Sequence, residues 1–277
     1  MKIRPLAEED IESGVALSMQ AGWNHVAADW RRLLELWPGQ SLGGEIGGRL
    51  AASGTLASYA SDAGLVGWVG LILVDEQYRR RGLGTRMMAA ILEEADRRGV
   101  EIVGLDASDQ GEPIYRRLGF VVDASINRWS GRGVMGRIGS VDKAAWPRLL
   151  QVDRRACGVD RESLLRRIAG ESESRVAMAG DGFALVRPGR RAWHLGPVIA
   201  NDFNEAAGLV EQLIGDGKQP STADVIADVV AGSPMELLLA RRGFAIARRL
   251  KRMRRPAGEG QLLWGERVYA TSGFELG

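Results

Sequence analysis

Cysteine and histidine are scarce in this chain of 277 residues: Cys157 stands alone, and His25 and His194 are the only imidazoles. One cysteine excludes an internal disulfide, and two distant histidines offer no spacing for zinc, so no metal is expected. Cys157 has no histidine near it in sequence and reads as a plain thiol. No apolar run is long enough to span a bilayer, which argues against a membrane protein. The opening MKIRPLAEEDI is acidic and has no apolar signal core, so a cytoplasmic location is expected. Excess charge of one sign is also missing, the formal net charge being +2. The balance is uneven, however: the first 130 residues carry 14 basic and 18 acidic side chains, the remainder 23 and 17. Such opposition suits two halves that face each other, or a second half that draws an acidic partner. With 45% hydrophobic and 26% charged residues, the chain has the composition of a soluble globular protein of one large or two medium domains.

What is present centres on residues 65–99. Leu65 to Val74 is uncharged and ends in four aliphatic residues, as a strand buried on both faces would. From Met87 on, Met88, Ile91, Leu92 and Ala95 keep to one helical face, and Gly99 suits the helix stop. Between them lies Arg79, Arg80, Arg81, Gly82, Leu83, Gly84 and Thr85. Glycines at a helix start expose unpaired N–H groups, and the helix dipole adds positive potential, so the loop is a seat for phosphate. It lacks the Lys-Ser/Thr pair of a nucleoside triphosphate loop, and Met87 stands where a dinucleotide fingerprint needs its third glycine.

Arg79-x-x-Gly82-x-Gly84 after such a strand resembles the coenzyme A signature of the GNAT N-acetyltransferases. A second match is Leu105-Asp106-Ala107-Ser108 leading to Gly111-x-Pro113-x-Tyr115 and Gly119-Phe120. The element order over residues 1–130 agrees: strand, two helices, a meander of strands with a hairpin at Gly47-Gly48, helix, strand, helix, strand. The fold expected is therefore α/β, a mixed sheet with helices on both faces.

After Gly131-Arg132-Gly133, read as a linker, the pattern starts again over 134–277. Strands are expected over 134–141, 175–178, 183–187, 192–200 and 224–230, with helices after Asp142, over 160–169 and over 203–214. Ala240-Arg241-Arg242-Gly243-Phe244 echoes Arg116-Arg117-Leu118-Gly119-Phe120, the mark of a repeated domain. The copy has lost its chemistry: Asn201-Asp202-Phe203-Asn204-Glu205 replaces the arginine and glycine loop, and Leu239 stands in the place of Tyr115. This half resembles the degenerate C-terminal domain of tandem GNAT proteins, leaving open whether it walls the acceptor pocket or makes a homodimer contact. The basic run Arg241 to Arg255 reads as an exposed strand edge kept soluble by arginine, and nucleic acid is not an expected partner.

The resemblance implies acetyl-CoA as co-substrate, its pantetheine along Ile72, Leu73 and Val74 and its diphosphate on Arg79 to Thr85. It further implies a small-molecule amine acceptor, bordered by Trp23 and Asn24 at the turn between the first two helices. Tyr115 would protonate the leaving thiolate, and Asp106 is the candidate for relieving the amine of its proton, with Glu112 and His25 as alternatives. An acetyl-CoA sensor that catalyses nothing is the competing function.

Overall fold

The computed structural model describes residues 1–136, 141–215, 223–256 and 265–277. The first half comprises β1 (Lys2–Pro5), α1 (Ile11–Gln20), α2 (Ala27–Leu36), β2 (Leu42–Ile46), β3 (Arg49–Ser61), β4 (Gly64–Val74), α3 (Leu83–Arg97), β5 (Val100–Ala107), α4 (Glu112–Arg117) and β6 (Val121–Gly133). The second comprises α5 (Trp146–Cys157), α6 (Glu162–Ala169), β7 (Arg175–Ala179), β8 (Gly182–Arg187), β9 (Trp193–Ile199), α7 (Phe203–Ile214), β10 (Ala223–Val230), α8 (Pro234–Arg241), β11 (Ala245–Arg255) and β12 (Val268–Ala270). Of the strand expected over 134–141, residues 137–140 lie outside the described residues. Residues 134–136 are not strand; the Val134 and Gly136 amides donate to the carbonyls of Ile214 and Leu213.

All these strands join one mixed sheet in the order β1-β2-β3-β4-β5-β11-β6-β10-β9-β8-β7, with β12 paired to β9. The order holds the main surprise. Strand β11 of the second half lies between β5 and β6 of the first, and β6 lies between β11 and β10. Each half thus has its sheet completed by a strand of the other, β11 for the first and β6 for the second.

Two expectations from the sequence are corrected by this exchange. Residues Gly131–Gly133 are not a linker but the end of β6, paired with Val225, Asp224 and Ala223 of β10. A Cβ at Gly131 would run into the Phe244 ring, so glycine here permits close packing rather than bending. The arginine-rich strand is not an edge either: β11 is paired on both sides, and Arg252 is wholly buried with its guanidinium 4.2 Å from the Trp68 ring centroid.

Around α3, Met87, Met88, Ile91, Leu92 and Ala95 are buried in a core they share with Leu56, Val69 and Val103 of the sheet. Burying such side chains stabilises by about 1.5–3 kcal/mol each, which anchors the start of α3 against the end of β4. The second half builds its own core the same way, with Ala206, Leu209, Val210 and Leu213 of α7 against Val186, Val198 and Val225.

Candidate active site

Strands β4 and β5 run parallel from Leu65 to Val69, and the pairing stops at Val69 opposite Leu105 although β4 continues to Val74. At the fork, Leu71 adopts φ +45° beside a break in register between β3 and β4, and its displaced carbonyl accepts a hydrogen bond from Ser53 Oγ at 2.9 Å. A bulge of this kind re-aims a strand, and a left-handed leucine is a strained conformation retained where the surroundings impose it. Ile72, Leu73 and Val74 therefore have no β5 partner on that side, although Leu73 and Val74 still pair with β3 on the other, and Ile72 lines the opening.

Beyond Val74 the chain turns through the arginine loop into α3. Arg79 Nε donates to the Val74 carbonyl at 3.1 Å, and Arg81 lies over the Tyr78 ring at 5.6 Å. Gly82 is the residue before the helix, at φ +76°, and Arg80 is also left-handed at φ +61°. A Cβ at Gly82 would meet nothing within 4 Å, so the space over the helix start is open. No acidic residue lies in the first turn, and Arg79, Arg80, Arg81, Gly82 and Thr85 are not buried, while Leu83 lies buried below them. The unpaired N–H groups of Leu83, Gly84 and Thr85 can accordingly receive an anion.

The opening leads into a cleft enclosing about 640 Å3 of atom-free space, its mouth included. Gly70 to Ile72 form one wall, Tyr115 and Ser108 another, Trp23 and His25 a third, and Arg248 and Leu250 of β11 a fourth. Tyr115 packs on Phe120 at 6.1 Å and against Gly111, where a Cβ would come within 2.8 Å of its ring. Burial pushes its phenol up to about 12.

Asp106 borders the cleft but its side chain is completely buried, with both carboxylate oxygens accepting from Arg252 at 2.9 and 2.8 Å. Burial holds it above the usual carboxylate range, Arg252 offsetting this only in part. Trp23 lines the cleft, whereas the amide of Asn24 is taken up by the loop after β8. Its Nδ2 donates to the Ala192 carbonyl at 2.8 Å and its Oδ1 accepts from the Arg191 and Ala192 amides at 2.8 and 3.0 Å. Asn24 thus holds the Trp23 loop in place.

The carboxylate that reaches the cleft comes from the tail. Glu275 is buried against β4, where a Cβ on Gly70 would strike its Cα, and it pairs with Arg187 at 3.0 Å and with His25 Nε2 at 3.2 Å. Burial alone would raise the Glu275 carboxyl; His25 and Arg187 reverse this and hold it well below the usual range. That contact fits a His25 tautomer protonated at Nε2. His25 is 8% exposed, and its buried Nδ1 has no partner among the described residues. No group of three or more His, Cys, Asp or Glu side chains that could hold a metal occurs among those residues. Cys157 is buried, its thiol pushed up to about 12 by burial, which suits a packing role.

Residues 11–120 match the Acetyltransferase (GNAT) family, and residues 149–265 separately match the Acetyltransferase (GNAT) domain. The chain belongs to the GNAT acetyltransferase family. It is 26% identical over 238 residues to YitH, an uncharacterized N-acetyltransferase of Bacillus subtilis, covering 79% of this chain and 80% of that one. An uncharacterized N-acetyltransferase of Streptomyces avermitilis is 30% identical over 270 residues, covering 84% of this chain and 60% of its own longer one. Among solved structures, a Pyrococcus horikoshii protein assigned as an acetyltransferase superposes with a TM-score of 0.79 at 22% identity, over 100% of this chain and 95% of that one. A GCN5-related N-acetyltransferase of Sphaerobacter thermophilus superposes at 0.63 and 15%, over 95% and 98%. At such identities these likenesses are of fold.

The second GNAT unit has filled its own anion seat. Asp202 caps α7 by accepting from the Glu205 amide at 2.9 Å. The Glu205 carboxylate in turn accepts from the amides of Asp181 and Gly182 at 3.0 Å and Asn201 at 2.7 Å. Leu239, at the position of Tyr115, is fully buried. Of the residues around the first cleft, Arg128 and Glu275 carried no sequence signal, and Arg248 stood out only as part of the basic run, because they reach the cleft only through the strand exchange and the folded tail.

Proposed function

We propose that this GNAT protein transfers the acetyl group of acetyl-CoA to the primary amine of a small or amino-acid-like acceptor, by direct attack on the thioester. The observation that carries this reading is the parting of β4 from β5 after Val69, beside a left-handed Gly82 that opens the start of α3. Bound acetyl-CoA supplies an activated carbonyl and a thiolate leaving group. Arg79, Arg80, Arg81, Gly82, Leu83, Gly84 and Thr85 hold the diphosphate through backbone N–H groups and guanidinium charge. The strand end at Ile72, Leu73 and Val74 pairs with the pantetheine and presents an N–H to the carbonyl oxygen as negative charge develops, the largest single contribution expected in acyl transfer.

His25, which lines the cleft and is held through Nε2 by Glu275, relieves the incoming ammonium of its proton. Asp106, locked to Arg252, orients β11 beside the cleft and takes no proton. Tyr115 stays a phenol across the neutral range and donates to the departing sulfur. Residues 1–130 carry the acetyl-CoA site; residues 134–277 lend β11 and the tail to the acceptor side.

The test is a titration of the full chain with acetyl-CoA, followed by thiol release and product mass with a panel of primary amines. Binding with transfer to at least one amine supports the reading. Binding without transfer to any would leave an acetyl-CoA sensor. Absence of binding, or a Gly82→Val variant that binds as tightly as the parent, would overturn the site itself. That variant should weaken binding roughly tenfold, since a left-handed conformation costs an L-residue about 1–2 kcal/mol.

A further inference from the structure

The charges around the cleft cancel with one exception. Asp106 is matched by Arg252, and Asp228 by Arg128 through two contacts of 2.7 Å. Glu275 is matched by Arg187 and His25. Arg248 alone among the lining guanidiniums makes no ion pair or hydrogen bond among the described residues, although it is half-buried. Its guanidinium lies 5.7 Å from the centroid of the Trp23 ring. Burial and the neighbouring charge of Arg128 lower its pKa, with Asp228 and Asp109 offsetting this only in part, so an anion in contact with it would relieve both effects.

Position agrees with charge. Arg248, Leu250 and Arg252 alternate along β11 and so share one face of the sheet, the face on which Arg252 holds Asp106. Arg248 therefore stands at the outer end of the wall whose inner end is the floor of the cleft. Trp23 opposite is fixed from both sides: Asn24 is tied to residues 191 and 192, and Arg190 donates to the Trp23 carbonyl at 3.1 and 3.2 Å. A guanidinium kept partly out of water gains from a planar, bidentate anion. A single uncompensated positive charge matches a carboxylate better than a dianionic phosphate.

Building on the acetyl-transfer reading above, we propose that the acceptor carries a carboxylate besides its amine, and that Arg248 beside Trp23 binds it. The second GNAT unit, which fills its own anion seat, then keeps a share in the reaction, because its exchanged strand selects the acceptor.

The probes are amino acids and dipeptides, each paired with its C-terminal carboxamide, and kcat/KM is measured for both members of a pair. The free acids should be favoured about 10- to 100-fold, the range for a hydrogen-bonded charge pair. Arg248→Ala and Arg248→Gln should collapse that ratio toward one, chiefly through KM for the acid, with acetyl-CoA affinity retained; Arg248→Lys should restore part of it. Equal use of acids and carboxamides by the parent, or an unchanged ratio in both neutral variants, overturns the proposal while leaving acetyl transfer standing. If no amine of either kind is acetylated, the acetyl-transfer reading fails instead. Calorimetric titration of parent and Arg248→Gln with the same acids in the presence of coenzyme A then decides whether Arg248 binds a carboxylate.

Discussion

Tyr115 and His25 divide the proton traffic of the proposed reaction, and each is set by different neighbours. Tyr115 sits against Gly111 and Phe120 with its phenol raised by burial, so it holds its proton until a thiolate forms beside it. Tyr115→Phe is expected to lower kcat by about 10- to 1,000-fold with acetyl-CoA affinity nearly intact, checked by steady-state kinetics and titration. His25→Gln is expected to lower kcat by about 100- to 10,000-fold with acetyl-CoA affinity retained, checked by steady-state kinetics and titration. A variant with the parent's kcat would point to another base. Tyr115 is legible in the sequence, four residues before Gly119. His25 is one of three candidate bases there, and only Glu275, brought from the far end of the chain, distinguishes it. Asp106 is the preferred base on sequence grounds because nothing local marks Arg252 as its partner.

At the scale of elements, the exchange of β6 and β11 accounts for most of what local sequence misleads about. Glycines at 131 and 133 suggest a linker, and the basic run 241–255 suggests an exposed edge, since local composition carries no record of a strand's neighbours. In the sheet, Gly131 gives room to Phe244, and Arg252 and Arg254 meet Asp106 and Asp123. Gly131→Ala must displace a buried ring and is expected to cost about 1–3 kcal/mol, read as a lower midpoint in urea unfolding. A wild-type midpoint would mean that β6 ends before this residue. The loop into α3 is legible by contrast, because a strand, a glycine in the left-handed region and an amphipathic helix are all local signals.

Across the whole molecule, a buried charge network runs from Glu171 through Arg32 and Asp29 to Arg187, and from there to Glu275 with His25 and to His194 with Asp228 and Arg128. Arg187 donates to His194 Nδ1 at 2.8 Å, which leaves Nε2–H to donate to Asp228. Burial and the Arg187 charge keep His194 below its ordinary pKa. The unfolded chain binds that proton near pH 6.5, so the network's contribution is full above this pH and is lost as pH falls through it. Burial alone would raise Asp29, Asp228 and Glu275, but their cationic neighbours hold them low, adding a second loss below about pH 4. Asp106, raised by burial, opposes this at low pH. Urea midpoints measured from pH 8 downward should therefore begin to fall near pH 6.5; a flat profile to pH 5 would contradict a neutral, buried His194. The two GNAT units, their element order and the arginine and glycine loop before α3 follow from the order of residues, because hydrophobic period, glycine conformation and helix-start chemistry act over a few positions. Which strand closes which sheet, which carboxylate meets His25 and which arginine of the cleft is left without an ion pair among the described residues emerge only on folding, because those contacts join residues that the chain alone holds far apart.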